Sequence, residues 1–196
     1  MNILKLRIIS NAEIDPNLLK DIAMFDRKIF PVEGEYSFPD DYLEKLYEKN
    51  KEGLFVLLDK NDIVGYVNCI FLSDEIKKEY LRTKDYLILE NEGFQIGDNN
   101  MYFYTLALDE KYRNSSAVKM LMQRFCAWIN QEKRKGKNIS SCISEAITED
   151  GIRTLLLMGM IPKDVDENGL GIYYSPDCLN SYINGMFEKN IEDEER

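Results

Sequence analysis

The stretch DEKYRNSSAVKML, Asp109 to Leu121, lies between the apolar run MYFYTLAL and a strongly patterned helix. A helix start presents unpaired N–H groups and the positive end of a dipole, which attract phosphate whatever side chains surround them. Loops that hold phosphate usually carry glycines so that the ligand can approach the backbone, and none occurs between Asp109 and Leu121. Ser116 can cap the helix or donate its hydroxyl to a phosphate oxygen, and Arg113 can supply a charged donor. Val118 is the costly position, because an isopropyl group obstructs the approach unless it points into the core. The competing reading of RNSSAV is an ordinary capped helix start.

The chain has no histidine, so neither a Ser-His-Asp nor a Cys-His relay can be built from its side chains, and a histidine metal site is excluded. Proton transfer must run through carboxylate, tyrosine, lysine, cysteine or water. Cys69, Cys126, Cys142 and Cys178 show no paired spacing, which favours scattered reduced thiols in a cytoplasmic protein over disulfides or zinc.

Lys and Arg number 25 against 35 Asp and Glu, giving a formal charge of −10 that repels polyanions and gathers cations. Nucleic acid is therefore a poor partner. Part of the acidic excess lies in residues 188–196, which read as a solvated tail. The opening MNILKLRIIS alternates charge with apolar residues and reads as a strand, not as a signal peptide. The run LLLMGMI is too short to cross a bilayer, so no membrane association is expected. A homodimer is left open.

The elements that position these residues follow from their periodicity. Leu4 to Ile9 is a first strand; Asp15-Pro16 then caps and opens a helix with Leu18, Leu19, Ile22, Phe25 and Ile29 at helical spacing. FPDDYLEKLYEKN puts Tyr42, Leu43, Leu46 and Tyr47 on one helical face. LFVLLDKNDIVGYVNCIFL is a hairpin turning at Lys60-Asn61-Asp62. Residues 73–98 look inserted, with a short helix from Asp74 to Arg82. MYFYTLAL is a fourth strand, and Val118, Leu121, Met122, Phe125, Trp128 and Ile129 mark a long amphipathic helix ending near Gly136. ISSCISEA is a fifth strand, TEDGIRTLLLMGM a helix closed by Gly159, and GIYYS a last strand. This order specifies a mixed α/β, or α+β, single domain over residues 1–187 with helices on its sheet.

The order of elements, and above all the run Leu106 to Met122 followed by the strand, helix and GM of Ile139 to Met160, resembles the GNAT superfamily of acyl-CoA-dependent N-acyltransferases. The resemblance implies a mostly antiparallel sheet with a V-shaped split between strands 4 and 5 and helices on both faces. The family's pyrophosphate loop, Arg/Gln-x-x-Gly-x-Gly/Ala, falls on Arg113, Ser116 and Val118, with both glycines replaced. It implies acetyl-CoA as co-substrate, held by Arg113, Asn114, Ser115, Ser116, Ala117 and Val118, with Leu106, Ala107 and Leu108 offering backbone to the thioester arm, and no metal. The family's tyrosine acid aligns with Leu155, and its helix-start asparagine with Thr148.

The implied reaction is attack of an amine on the thioester, which needs a deprotonated amine and a donor to the developing oxyanion. A base is sought among carboxylates raised by partial burial: Glu145 at the end of the fifth strand, and Glu90 or Glu92 in the inserted segment. Water-relayed deprotonation is equally consistent, and Glu90 and Glu92 also read as a solvated charge cluster. Tyr173, Tyr174 and Cys142 are the groups left to assist the thiolate. Two functions are carried forward: acyl transfer to a primary amine of a small molecule or a cationic peptide, and a GNAT-like binding or regulatory module without turnover.

Overall fold

Asp15 starts the first helix as its type demands, its side chain accepting the Leu18 N–H at 2.8 Å ahead of Pro16. The computed structural model describes residues 6–10, 13–30, 41–48, 50–113, 115–165 and 171–186. Seven strands, β1 (Leu6–Ser10), β2 (Leu54–Asp59), β3 (Asp62–Leu72), β4 (Gly97–Leu108), β5 (Lys137–Ala146), β6 (Ile161–Val165) and β7 (Gly171–Tyr174), run in the order β1-β2-β3-β4-β5-β7-β6. The helices are α1 (Pro16–Ile29), α2 (Tyr42–Glu48), α3 (Asp74–Thr83), α4 (Ser116–Lys133) and α5 (Glu149–Leu157), with a further helical segment over 180–186. β1 with β2, β2 with β3, β5 with β7 and β6 with β7 pair antiparallel, and β4 with β5 pairs parallel.

Two compact units divide the chain, one spanning 1–68 and 105–124, the other 69–104 and 125–196. In the first, β2 and β3 turn through Lys60 at φ 60°, and a bulge sets Leu57 opposite Gly65 but Leu58 opposite Ile63. The extra residue is Val64, whose carbonyl accepts the Asp109 N–H at 2.9 Å. Gly65 permits the close approach of β4: a Cβ there would stand 2.8 Å from the Ala107 carbonyl oxygen. Cross-strand partners share a face, and Tyr66, opposite Val56, meets the Phe25 ring of α1 edge-on at 6.3 Å. Phe55, opposite Val67 on the other face, lies 5.9 Å from the Arg124 guanidinium of α4. Helices therefore cover both faces of this unit. Tyr42, Leu43, Leu46 and Tyr47 of α2 are all buried, as their spacing predicts.

The second unit has an aromatic centre, with Phe71 stacked on Phe94 at 4.2 Å and Trp128 5.7 Å from Phe94. The parallel register of β4 with β5 runs from Gly97↔Lys137 to Phe103↔Ser144, while β4 itself continues to Leu108. That is the expected split. α5 is capped by Thr148, whose side chain accepts the Gly151 N–H, and ends before Gly159 at φ 79°.

The structure departs from the sequence reading at β4 and at β6. β4 begins at Gly97, not Met101, because the polar residues Asp98 to Asn100 pair with β5 through a register shift. β6 was not anticipated: Ile161–Val165 reads IPKDV, whose proline and charges suit an outermost strand. The first strand starts at Leu6 in the described part of the chain; residues 1–5 and the tail 188–196 lie outside it.

Candidate active site

The loop after β4 is fastened at several points before α4 begins. Asp109 caps a single 3-10 turn over Glu110–Tyr112, accepts the Lys28 ammonium of α1 at 2.9 Å and holds its N–H on Val64. The Lys28 ammonium holds the Asp109 carboxyl below the usual carboxylate range. Tyr112 is buried, and its hydroxyl donates to Asp59 at 2.6 Å, which pushes the phenol up to about 12. Arg113 donates through Nε to the Leu108 carbonyl at 3.2 Å, so the arginine of the loop is docked against the end of β4.

Ser115, not Ser116, does the capping. Its hydroxyl donates to the Tyr112 carbonyl at 2.7 Å and accepts the Ala117 N–H at 3.1 Å. Ser116 is exposed and Ala117 fully buried. Val118 is half-buried, at the three-, four- and seven-residue spacings from buried Leu121, Met122 and Phe125 that place it on the packed stripe of α4. Its isopropyl group is thus drawn toward the core. Asn114 lies outside the described residues. Leu106 is half-buried, and Ala107 and Leu108 are buried.

In the second unit Glu145, next to last in β5, is half-buried and accepts the Tyr80 hydroxyl at 2.6 Å. Tyr86 also donates to Glu145, and the Tyr80 and Tyr102 hydroxyls lie 2.9 Å apart. Burial, reinforced by neighbouring tyrosines and the Glu145 carboxylate, raises both Tyr80 and Tyr86 above the ordinary phenol value, keeping them neutral donors. A carboxylate has about four lone-pair directions, so two phenols leave room for a third donor. Tyr80 and Tyr86 come from the segment between β3 and β4 and escaped the sequence reading, although Ile76 and Tyr80 stand four apart on α3.

Glu90 and Glu92 of that same segment are exposed, so the partial burial expected of them is absent; the Glu92 N–H serves the Phe71 carbonyl at 2.8 Å. Tyr173 is buried in β7 opposite Ser144 and Pro162. Leu155, where the resemblance places a tyrosine acid, is buried in α5. Cys142 is buried, and burial raises its thiol well above the ordinary value, which makes it a poor acid at neutral pH.

The sequence profile of the acetyltransferase (GNAT) family matches residues 19–146, well over half of the chain. The chain belongs to that family. No curated protein matches the GNAT chain by sequence. Among solved structures it is similar to PH1933 of Pyrococcus horikoshii OT3, at 12% identity and a TM-score of 0.59, covering 87% of this chain and 98% of that one. Arabidopsis thaliana Naa50, solved with the bisubstrate analogue CoA-Ac-MVNAL, aligns at 13% identity and 0.56 over 87% and 97%. Arabidopsis thaliana NAA60, solved with acetyl-CoA, aligns at 15% and 0.55 over 87% and 96%. At these identities the likeness is one of fold.

Proposed function

We propose that this GNAT chain is an acetyl-CoA-dependent N-acetyltransferase that acylates a primary amine of a small molecule or peptide. The observation that carries the reading is β4 running on from Tyr104 to Leu108 beyond its last pair with β5, straight into a loop already fastened at the start of α4. The N-terminal amides of α4, the Arg113 guanidinium and the exposed Ser116 hydroxyl fit a diphosphate chemically. With Val118 on the packed stripe, the residue that replaces the second glycine does not stand against this fit.

In this reading the amine nitrogen bonds to the acetyl carbon, the carbon–sulfur bond breaks and coenzyme A leaves as a thiolate. Glu145 is assigned to take the amine proton, a role supported by its position near the end of β5 and by two neutral phenols that hold its orientation. Tyr173 remains a candidate proton donor to the thiolate by its chemistry alone, and its burial weakens the case. Glu90 and Glu92 are exposed and gain no support.

Two features favour the second reading, a binding module without turnover: Leu155 in place of a tyrosine, and the Ser115 cap that already engages one of the first helical N–H groups. One experiment separates them. Acetyl-CoA is titrated in a thermal-shift assay while release of free thiol is followed with a panel of primary amines. Saturable stabilisation with thiol release supports the enzyme, stabilisation without release supports the module, and no stabilisation at millimolar ligand refutes cofactor binding altogether.

A further inference from the structure

A chain of hydroxyls crosses the first unit, to which Asp26, Tyr66 and Thr105 all belong. The Thr105 side chain of β4 is hydrogen-bonded to the Tyr66 hydroxyl of β3, and that hydroxyl donates to the Asp26 carboxylate of α1. Its direction follows from counting protons. A phenol has one proton, and Tyr66 gives it to Asp26, so Tyr66 accepts from Thr105. The Thr105 oxygen, having donated its own proton, keeps lone pairs with which to accept another. Burial along the chain is uneven. Tyr66 is 1% exposed, whereas Thr105 and Asp26 are only half-buried, so a sealed link joins two ends that each retain contact with solvent. Thr105 stands two residues past Phe103, the last position of β4 paired with β5, and directly precedes Leu106 to Leu108. Burial, and after it the Asp26 charge, raises Tyr66 well above the ordinary phenol value, so Tyr66 stays neutral and hands on a proton only while taking another. Burial also raises Asp26, against the Tyr66 hydrogen bond and the charge of Arg27, which makes it a stronger base than an exposed aspartate. The Tyr47 phenol of α2 faces Tyr66 from the remaining side.

We propose that Thr105, Tyr66 and Asp26 form a proton relay that takes the first proton from an incoming ammonium. An alkyl ammonium titrates at about 10, so at neutral pH the acceptor arrives charged and its nitrogen has no electron pair for the thioester. In the relay the ammonium N–H bond breaks and its proton passes to the Thr105 oxygen. The Thr105 proton moves to Tyr66 and the Tyr66 proton to Asp26. Thr105 and Tyr66 end neutral, as they began, and Asp26 becomes a neutral acid that releases its proton to water. The nitrogen is left uncharged, with its pair free to attack. Glu145 keeps the second proton, the one lost once the carbon–nitrogen bond has formed.

The relay rests on the transferase reading for the source of its proton, but its wiring can be read without turnover. The Asp26 carboxyl is labelled with 13C, assigned by its loss in Asp26→Asn and titrated in the full chain. Thr105→Val removes the hydroxyl at nearly constant shape and moves the midpoint upward, because Tyr66 without its donor gives the carboxylate a weaker hydrogen bond. Tyr66→Phe moves it further, and Thr105→Ser restores the parent midpoint. In acetyl transfer, ethylamine arrives as an ammonium and 2,2,2-trifluoroethylamine as a neutral amine. Thr105→Val therefore lowers kcat/KM for ethylamine by about 10²-fold and leaves that for trifluoroethylamine within a factor of about two. A midpoint that Thr105→Val leaves in place overturns the relay, as does an equal loss with both amines. Coupled titration with neither amine acetylated overturns the transferase reading and leaves the hydroxyl chain standing.

Discussion

The Tyr80 hydroxyl donates to the Glu145 carboxylate at 2.6 Å, joining α3, a helix from the segment between β3 and β4, to the end of β5. The contact gives that segment a purpose that its polar composition did not reveal. Glu145→Gln keeps the shape and an acceptor oxygen but removes the proton acceptor, so kcat should fall about 10²–10⁴-fold. The acetyl-CoA thermal shift should persist. Equal losses of turnover and cofactor stabilisation would show that Glu145 serves structure and not proton transfer.

Val118 supplies a sharper test of the loop. If its side chain belongs to the packed stripe of α4, Val118→Ala costs about 1 kcal/mol of stability and leaves acetyl-CoA affinity within a factor of two or so. Chemical denaturation and calorimetric titration read the two effects separately. A variant that binds acetyl-CoA tenfold tighter would mean that the valine obstructs the ligand after all.

Arg113→Ala removes a charged donor docked on the Leu108 carbonyl, and acetyl-CoA should bind roughly tenfold more weakly, with little change in melting temperature. The effect should vanish when pantetheine, which lacks the diphosphate, is titrated instead. An identical loss with pantetheine alone would place the arginine's role elsewhere.

Gly65→Ala should be among the most damaging single changes outside the site. The added Cβ would meet the Ala107 carbonyl oxygen at 2.8 Å and the Leu108 side chain at 3.0 Å, and a backbone oxygen cannot swing away. A loss of about 1–3 kcal/mol is expected, read as a lower denaturant midpoint at unchanged m-value. Because Ala107 and Leu108 lead into the loop, acetyl-CoA affinity should decline with it.

Asp26 gives the pH dependence a definite sign. Burial raises its carboxyl, partly offset by the hydrogen bond from Tyr66 and the charge of Arg27, so the folded chain keeps this proton to higher pH than the unfolded chain, whose value is near 3.8. The folded state binds more protons in the window just above that value, and stability therefore falls as pH rises through it. Asp26→Asn should flatten that segment of the stability curve and raise stability at neutral pH, because the buried charge is no longer formed there. A variant with an unaltered slope just above pH 3.8 would show that Asp26 titrates normally.

Much of the architecture was written in local residue types. Asp15 and Pro16 marked a helix start, Lys60-Asn61 a tight turn, and Gly136 and Gly159 the helix ends where they now sit at φ 89° and φ 79°. These signals act over a few residues, so they survive without knowledge of the fold. β6 did not announce itself, because IPKDV is stabilised by its pairing with β7 and not by propensity. The site was half legible. Glu145 stood out at a strand end, but its partners at positions 80 and 86 are brought to it across some sixty residues of chain, which periodicity cannot encode.

The ties from Asp109 and Tyr112 to Lys28, Val64 and Asp59 have a thermodynamic corollary. A segment that is ordered beforehand forfeits little chain freedom when a guest arrives, so occupancy should bring only a small loss of configurational entropy. Calorimetry across temperature would then find a heat-capacity change set by the desolvated surface of the guest, without the larger increment that accompanies coupled folding.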